Sequence, residues 1–141
     1  MSYATIADLE LLIPTEQLIL LTDDDDTGDV VIAIVETALD NASTIIDSYL
    51  SGRYSLPFAN PPQMLKVMCT HIAGYQLQVR REAVSDTWAK QHANAIAFLT
   101  KISEGSLSLG ASDPVVSGGE SEALQVSVAD SIFSREEMDK Y

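Results

Sequence analysis

The stretch from Val31 to Tyr49 limits the fold more than any other part of the chain. Its apolar side chains fall at positions 31, 34, 35, 38, 42, 45, 46 and 49, the i, i+3, i+4, i+7 rhythm of a helix with one buried stripe. Asp40, Asn41, Ser43, Thr44, Asp47 and Ser48 take most of the opposite face. The pattern predicts about 24 helical residues, roughly 36 Å of helix. Asp29 is placed to cap its start, and Gly52 to supply a left-handed residue at its end.

Two shorter elements precede it. Thr5 can cap a helix carrying Ala7, Leu9 and Leu12, with Asp8 three residues on as the acid of a capping box. Pro14 stops that helix and opens a second over Thr15 to Leu21. An acidic turn then runs from Thr22 to Asp29, with four consecutive aspartates and Gly28. After the long helix, Pro57, Pro61 and Pro62 stiffen a connector over residues 54–62. A second long helix is expected from about Pro62 to Glu82, with Leu65, Met68, Cys69, Ile72, Ala73, Tyr75 and Val79 in register and Arg80 and Arg81 at its C-terminal end. Ser85 or Asp86 caps a third, which carries Trp88, His92, Ala95, Ile96, Leu99 and Ile102 and closes at Glu104-Gly105. Tyr49, Tyr75 and Trp88 sit on the apolar stripes and are expected in the core.

Beyond Gly105 the composition shifts to glycine and serine. Val115-Val116 and Leu124 to Val128 fit short strands, and Ser134 with Glu137 matches a capping box. The expected fold is therefore mainly α: a compact antiparallel bundle of two short and three longer helices over residues 1–105. An extended tail with a C-terminal anchor segment occupies residues 106–141.

The charge balance excludes some functions. Twenty-one Asp and Glu face eight Lys and Arg, a formal net charge of −13. Such a surface repels a phosphate backbone, so a nucleic-acid grip is not expected. The lone cysteine, Cys69, rules out an intrachain disulfide and fits a reducing compartment. No apolar run nears the roughly 18 residues that span a bilayer, and the first residues lack the basic-then-apolar pattern of a secretory leader.

The chemistry-bearing residues do not assemble into a known catalytic pattern. Read as a calcium loop from Asp23, the acidic turn places Asp25, Thr27 and Asp29 at liganding positions and Gly28 at the turn glycine. The pattern then breaks, because Ile34 stands where the bidentate Glu belongs, and a solvated helix-capping turn is the preferred reading. Cys69 and His71 are two residues apart on a helix and face different ways, and no further ligand joins them and His92 at zinc spacing. No Ser-His-Asp or Cys-His order stands out, and Gly118-Gly119 lacks the setting of a phosphate loop. No enzyme activity and no cofactor are expected.

Several segments together resemble a known family. Tyr3-Ala4-Thr5-Ile6-Ala7-Asp8-Leu9, Leu21-Thr22-Asp23 before the acidic turn, and Phe133-Ser134-Arg135-Glu136-x-Met138 all carry the likeness. Its strongest part is Ala42-x-x-x-Ile46-Asp47-x-Tyr49-Leu50-x-Gly52-Arg53-Tyr54-x-Leu56-Pro57, followed by Pro61-Pro62-x-x-Leu65. These segments are similar to Mu-like prophage proteins grouped with tailed-phage head–tail connectors. The resemblance implies a virion assembly protein, present in the host cytoplasm before assembly. Such a subunit forms a ring with copies of itself and contacts the portal and tail-completion proteins. An acidic ring would also not trap DNA passing through it.

On this reading the docking residues are Ile132, Phe133, Arg135, Met138 and Tyr141 of the tail and Tyr54, Leu56 and Phe58 of the connector. The connector is equally readable as a packed crossover between the two long helices. The competing class is an acidic binding module that occupies a basic host protein.

Overall fold

The computed structural model describes residues 2–109. Five helices follow in chain order: α1 (Ile6–Glu10), α2 (Thr15–Thr22), α3 (Ile32–Leu50), α4 (Gln63–Arg80) and α5 (Asp86–Glu104). No strand occurs among the described residues. The expected strands at 115–116 and 124–128 and the capping box at Ser134 lie outside them.

The three long helices form the body. Cys69 on α4 lies against Ser43 and Leu39 on α3, while Leu77 and Arg80 share a groove with Ile34 and Ala38. Advancing along α4 thus means retreating along α3, and the pair is antiparallel. A five-residue link turns the chain into α5. That helix returns to the far end of α3, where the Arg53 guanidinium donates to the Ile102 carbonyl at 2.9 Å. α1 packs on α3 and α4, and α2 on α4. The core is Leu9 and Leu18 from the short helices, Ile13 from the link between them, Val35, Ile46 and Leu50 from α3, Leu65, Ile72 and Leu77 from α4, and Leu99 and Ile102 from α5. Each such side chain contributes about 1.5–3 kcal/mol by leaving water.

Helix starts and stops follow local chemistry, with two corrections to expectation. Thr5 and Asp8 form the reciprocal capping box, Thr5 Oγ1 accepting from the Asp8 N–H and the Asp8 carboxylate accepting from the Thr5 N–H. Ser85 caps α5, and Gly105 closes it at φ 92° in the left-handed region. α3, however, spans 19 residues, with Val31 at its N-cap. Asp29 does not cap it, and no side chain accepts from its first-turn amides; buried Thr22 of the preceding helix instead holds the entry, its Oγ1 accepting from the Val31 N–H at 3.1 Å and donating to the Leu18 carbonyl at 2.8 Å. Gly52 is not left-handed either. The last turn of α3 winds on through Ser51, and Arg53 and Tyr54 both donate to the Leu50 carbonyl.

The connector is a packed crossover. Tyr54 and Phe58 are buried in the core, with ring centroids 5.8 Å apart, and Phe58 in turn lies 6.5 Å from the Tyr3 ring. Tyr49, Tyr75 and Trp88, the expected core aromatics, are only half-buried. The body also extends beyond the expected limit at residue 105. The Arg53 guanidinium donates to the Leu107 carbonyl, the Leu109 N–H donates to the Tyr54 hydroxyl at 3.0 Å, and both leucines pack against the core.

Candidate functional site

The acidic turn is organised around one of its own carboxylates. Asp23 is buried, and its two oxygens accept from the Thr27 N–H and hydroxyl and from the Gly28 N–H at 2.7–3.0 Å. Gly28 presents that N–H from φ 86°, a conformation glycine adopts without steric cost. The backbone amides hold the Asp23 carboxyl below the usual carboxylate range. Asp24 turns instead to α4, pairing with Arg80 and with Arg81. The would-be calcium residues are therefore divided. Asp23 folds the turn, Asp25 and Asp29 are exposed, and no three His, Cys, Asp or Glu among the described residues converge as metal ligands.

The other candidate groups are taken up by packing. The Cys69 thiol is buried between the Ser43 hydroxyl and the Leu39 carbonyl, and burial pushes its pKa up. His71 meets the edge of Trp88, and His92 stacks on Tyr75 with centroids 4.0 Å apart. Burial holds both imidazoles below their ordinary pKa. One polar knot was not visible in the sequence. The Tyr3 N–H donates to Ser43 Oγ at 2.9 Å, and the Tyr3 hydroxyl donates to the Asp47 carboxylate. Burial and the Asp47 charge both raise the Tyr3 pKa.

These shifts set an acid response with two phases. A histidine whose folded pKa is depressed contributes stability that is complete above its unfolded value and lost as the unfolded chain takes up protons below it. Stability should therefore fall first below about pH 6.5, through His71 and His92. It should fall again below about pH 4, where Asp8, Asp23 and Asp24 must be protonated. Urea midpoints measured across this range should show both steps, and the H71Q/H92Q variant should lose the first.

The surface divides by charge. Residues 2–52 carry eleven Asp and Glu and no Lys or Arg, while residues 53–109 carry six Lys and Arg against three Asp and Glu. Lys66–Asp8 and the Arg80 and Arg81 pairs with Asp24 join the two halves within the molecule. Several exposed apolar side chains also lie in the acidic half, among them Leu11 at 84% exposure and Leu20 at 70%. Of the docking residues expected from sequence, Tyr54 and Phe58 are committed to the core, so the exposed-loop reading fails for them. Leu56 is half-buried beside them. Ile132, Phe133, Arg135, Met138 and Tyr141 lie outside the described residues.

The family model described as Bacteriophage Mu, Gp36 matches residues 3–128. This chain belongs to that family. It is similar to gene product J of Escherichia phage Mu, at 30% identity over 142 aligned positions that cover 97% of each chain. It is also similar to the Mu-like prophage FluMu protein gp36 of Haemophilus influenzae, at 43% identity over 81 residues. That match covers 57% of this chain and 56% of the Haemophilus protein, so the chain spans a little over half the length of that relative. Within the fold, the segment from Asp47 to Pro57 that carries the family likeness forms the hub where α3, the connector and the end of α5 meet.

Proposed function

We propose that this protein is a head–tail connector subunit, a structural component of a phage particle that docks on the portal and helps join head to tail. The observation that carries this reading is the family match over residues 3–128, taken with the full-length likeness to a phage Mu gene product. The fold supports it in kind. A small helical body, with its histidines and cysteine committed to packing and Leu11 and Leu20 exposed at and near its short helices, suits a role in protein contact. The working form on this reading is a ring of identical copies, assembled in the host cytoplasm and retained in the virion. The tail residues Ile132, Phe133, Arg135, Met138 and Tyr141 add contacts to the portal or to a neighbouring copy.

The test is electron microscopy of particles from an induced prophage lacking only this gene, beside a complemented control. Unjoined heads and tails are the expected result. Normal infectious particles would overturn the connector reading. They would leave the acidic half of the molecule as the face of a module that binds a basic host protein.

A further inference from the structure

A groove of about 580 Å³ separates the N-terminal segment from α3. Ala4, Ile6 and Leu39 give it an apolar lining, and Glu36 and Asp40, one helical turn apart, add carboxylates to it. Both carboxylates are exposed, and neither has an ion-pair partner among the described residues. Asp47 follows on α3, eleven residues beyond Glu36 and outside the groove; it is half-buried, and one of its oxygens accepts from the Tyr3 hydroxyl. This combination suits a lysine side chain, whose four-carbon stem packs on apolar surface while its ammonium reaches an acid.

α5 carries the complement. From Thr87 to Ser103 it has no carboxylate. Its exposed Lys90 and Lys101 form no ion pair among the described residues. They lie on one helical face with exposed Asn94 and Ala97 between them, at offsets of four, seven and eleven residues, so a neighbouring helix can approach closely. Eleven residues is about three turns, or roughly 16 Å, the same spacing that separates Glu36 from Asp47. Within one molecule these two faces do not pair. Between copies, acidic face against acidic face repels, and the two lysine faces repel likewise. Only the mixed pairing is attractive, and when each copy offers one face to the copy before it and the other to the copy after it, the contact is head-to-tail, the kind that closes into rings.

We propose that α5 of one copy lies across the α3 groove of the next, with Lys90 and Lys101 meeting Glu36, Asp40 and Asp47. The contact rests on the ring reading of the proposed function and assigns its two faces.

Sedimentation velocity of the full chain across concentration, at low and high salt, tests it. The wild type should self-associate, and more weakly at high salt. E36K/D40K and K90E/K101E should each weaken association about tenfold or more, with helical circular dichroism unchanged because all four positions are exposed. The quadruple variant E36K/D40K/K90E/K101E reverses both faces except at half-buried Asp47 and should associate more strongly than either double variant. A monomeric wild type, a double variant that associates like the wild type, or a quadruple variant that stays apart would each overturn the contact. Any of these together with unjoined heads and tails from the gene deletion removes this interface and leaves the connector role standing. A charge-swappable oligomer with normal particles does the reverse.

Discussion

Replacing Tyr54 with alanine should destabilise the protein by about 3–5 kcal/mol, the range for deleting a buried aromatic ring. Tyr54 is 2% exposed. Its ring touches Phe58, the Arg53 guanidinium lies 5.6 Å from its centroid, and its hydroxyl accepts from the Leu109 N–H. Truncation empties the point where the connector crosses the ends of α3 and α5. Against a total of about 5–15 kcal/mol for a domain, that loss brings a large fraction of the chain near unfolding at 37 °C. Tyr54→Phe separates the ring from the hydroxyl: it keeps the packing and should cost about 0.5–1.5 kcal/mol through the lost hydrogen bond. Urea unfolding measures both. A Tyr54→Ala variant within about 0.5 kcal/mol of wild type, the range of ordinary surface substitutions, would mean that Tyr54 faces outward as a docking residue.

That contrast shows where the sequence was informative. α3 was legible because its apolar residues repeat at the helical period over five turns, and no local feature competes with them. The Thr5–Asp8 box, the Ser85 cap and the Gly105 stop were legible because each is settled within four residues of chain. The fate of Tyr54 and Phe58 was not, because a connector rich in proline has no periodicity to say which side chains turn inward. Their burial is decided by Tyr3, Leu109 and the end of α5, all distant in sequence. The start of α3 misled for a related reason. Asp29 has the right chemistry at about the right place, but the helix starts two residues later, with Val31 as its N-cap and the Val31 N–H tied to Thr22 across the acidic turn. Gly52 looked like a stop because glycine often is one, yet the chain continues its winding into Arg53 and Tyr54.

The candidate site divides in the same way. The aspartates of the turn could be counted, but not which would face inward. Asp23 is consumed by Thr27 and Gly28, and Asp24 by two arginines more than fifty residues away. The separation of charge between residues 2–52 and 53–109 could also be counted in advance. It gains meaning only when α5 presents Lys90 and Lys101 on one face and α3 presents Glu36 and Asp40 beside a groove.

Gly74→Val should destabilise the protein by about 2–3 kcal/mol, at the upper end of overpacking costs, although glycine is the poorer helix former by roughly half a kcal/mol. Gly74 is buried in the middle of α4. A β-carbon there would stand 2.5 Å from Trp88 Cζ3, 2.6 Å from Trp88 Cη2 and 3.3 Å from Ile13 Cδ1. Glycine is thus required for space: the Cζ3–Cη2 edge of the Trp88 ring sits against the α4 backbone at Gly74, with His71 in T-shaped contact beside it. A valine must push that ring outward, and α5 is the helix the ring belongs to. The cost should therefore depend on Trp88 itself. In G74V/W88L the smaller side chain leaves room for the valine, and the double variant should be more stable than the sum of the single effects by about 1 kcal/mol or more, as expected for residues in direct contact. Strict additivity in urea unfolding would show that the ring does not set the cost at this position. The destabilisation would then have to come from the α4 backbone or from Ile13, and the junction of α1, α4 and α5 would not turn on the fit of one indole against one glycine.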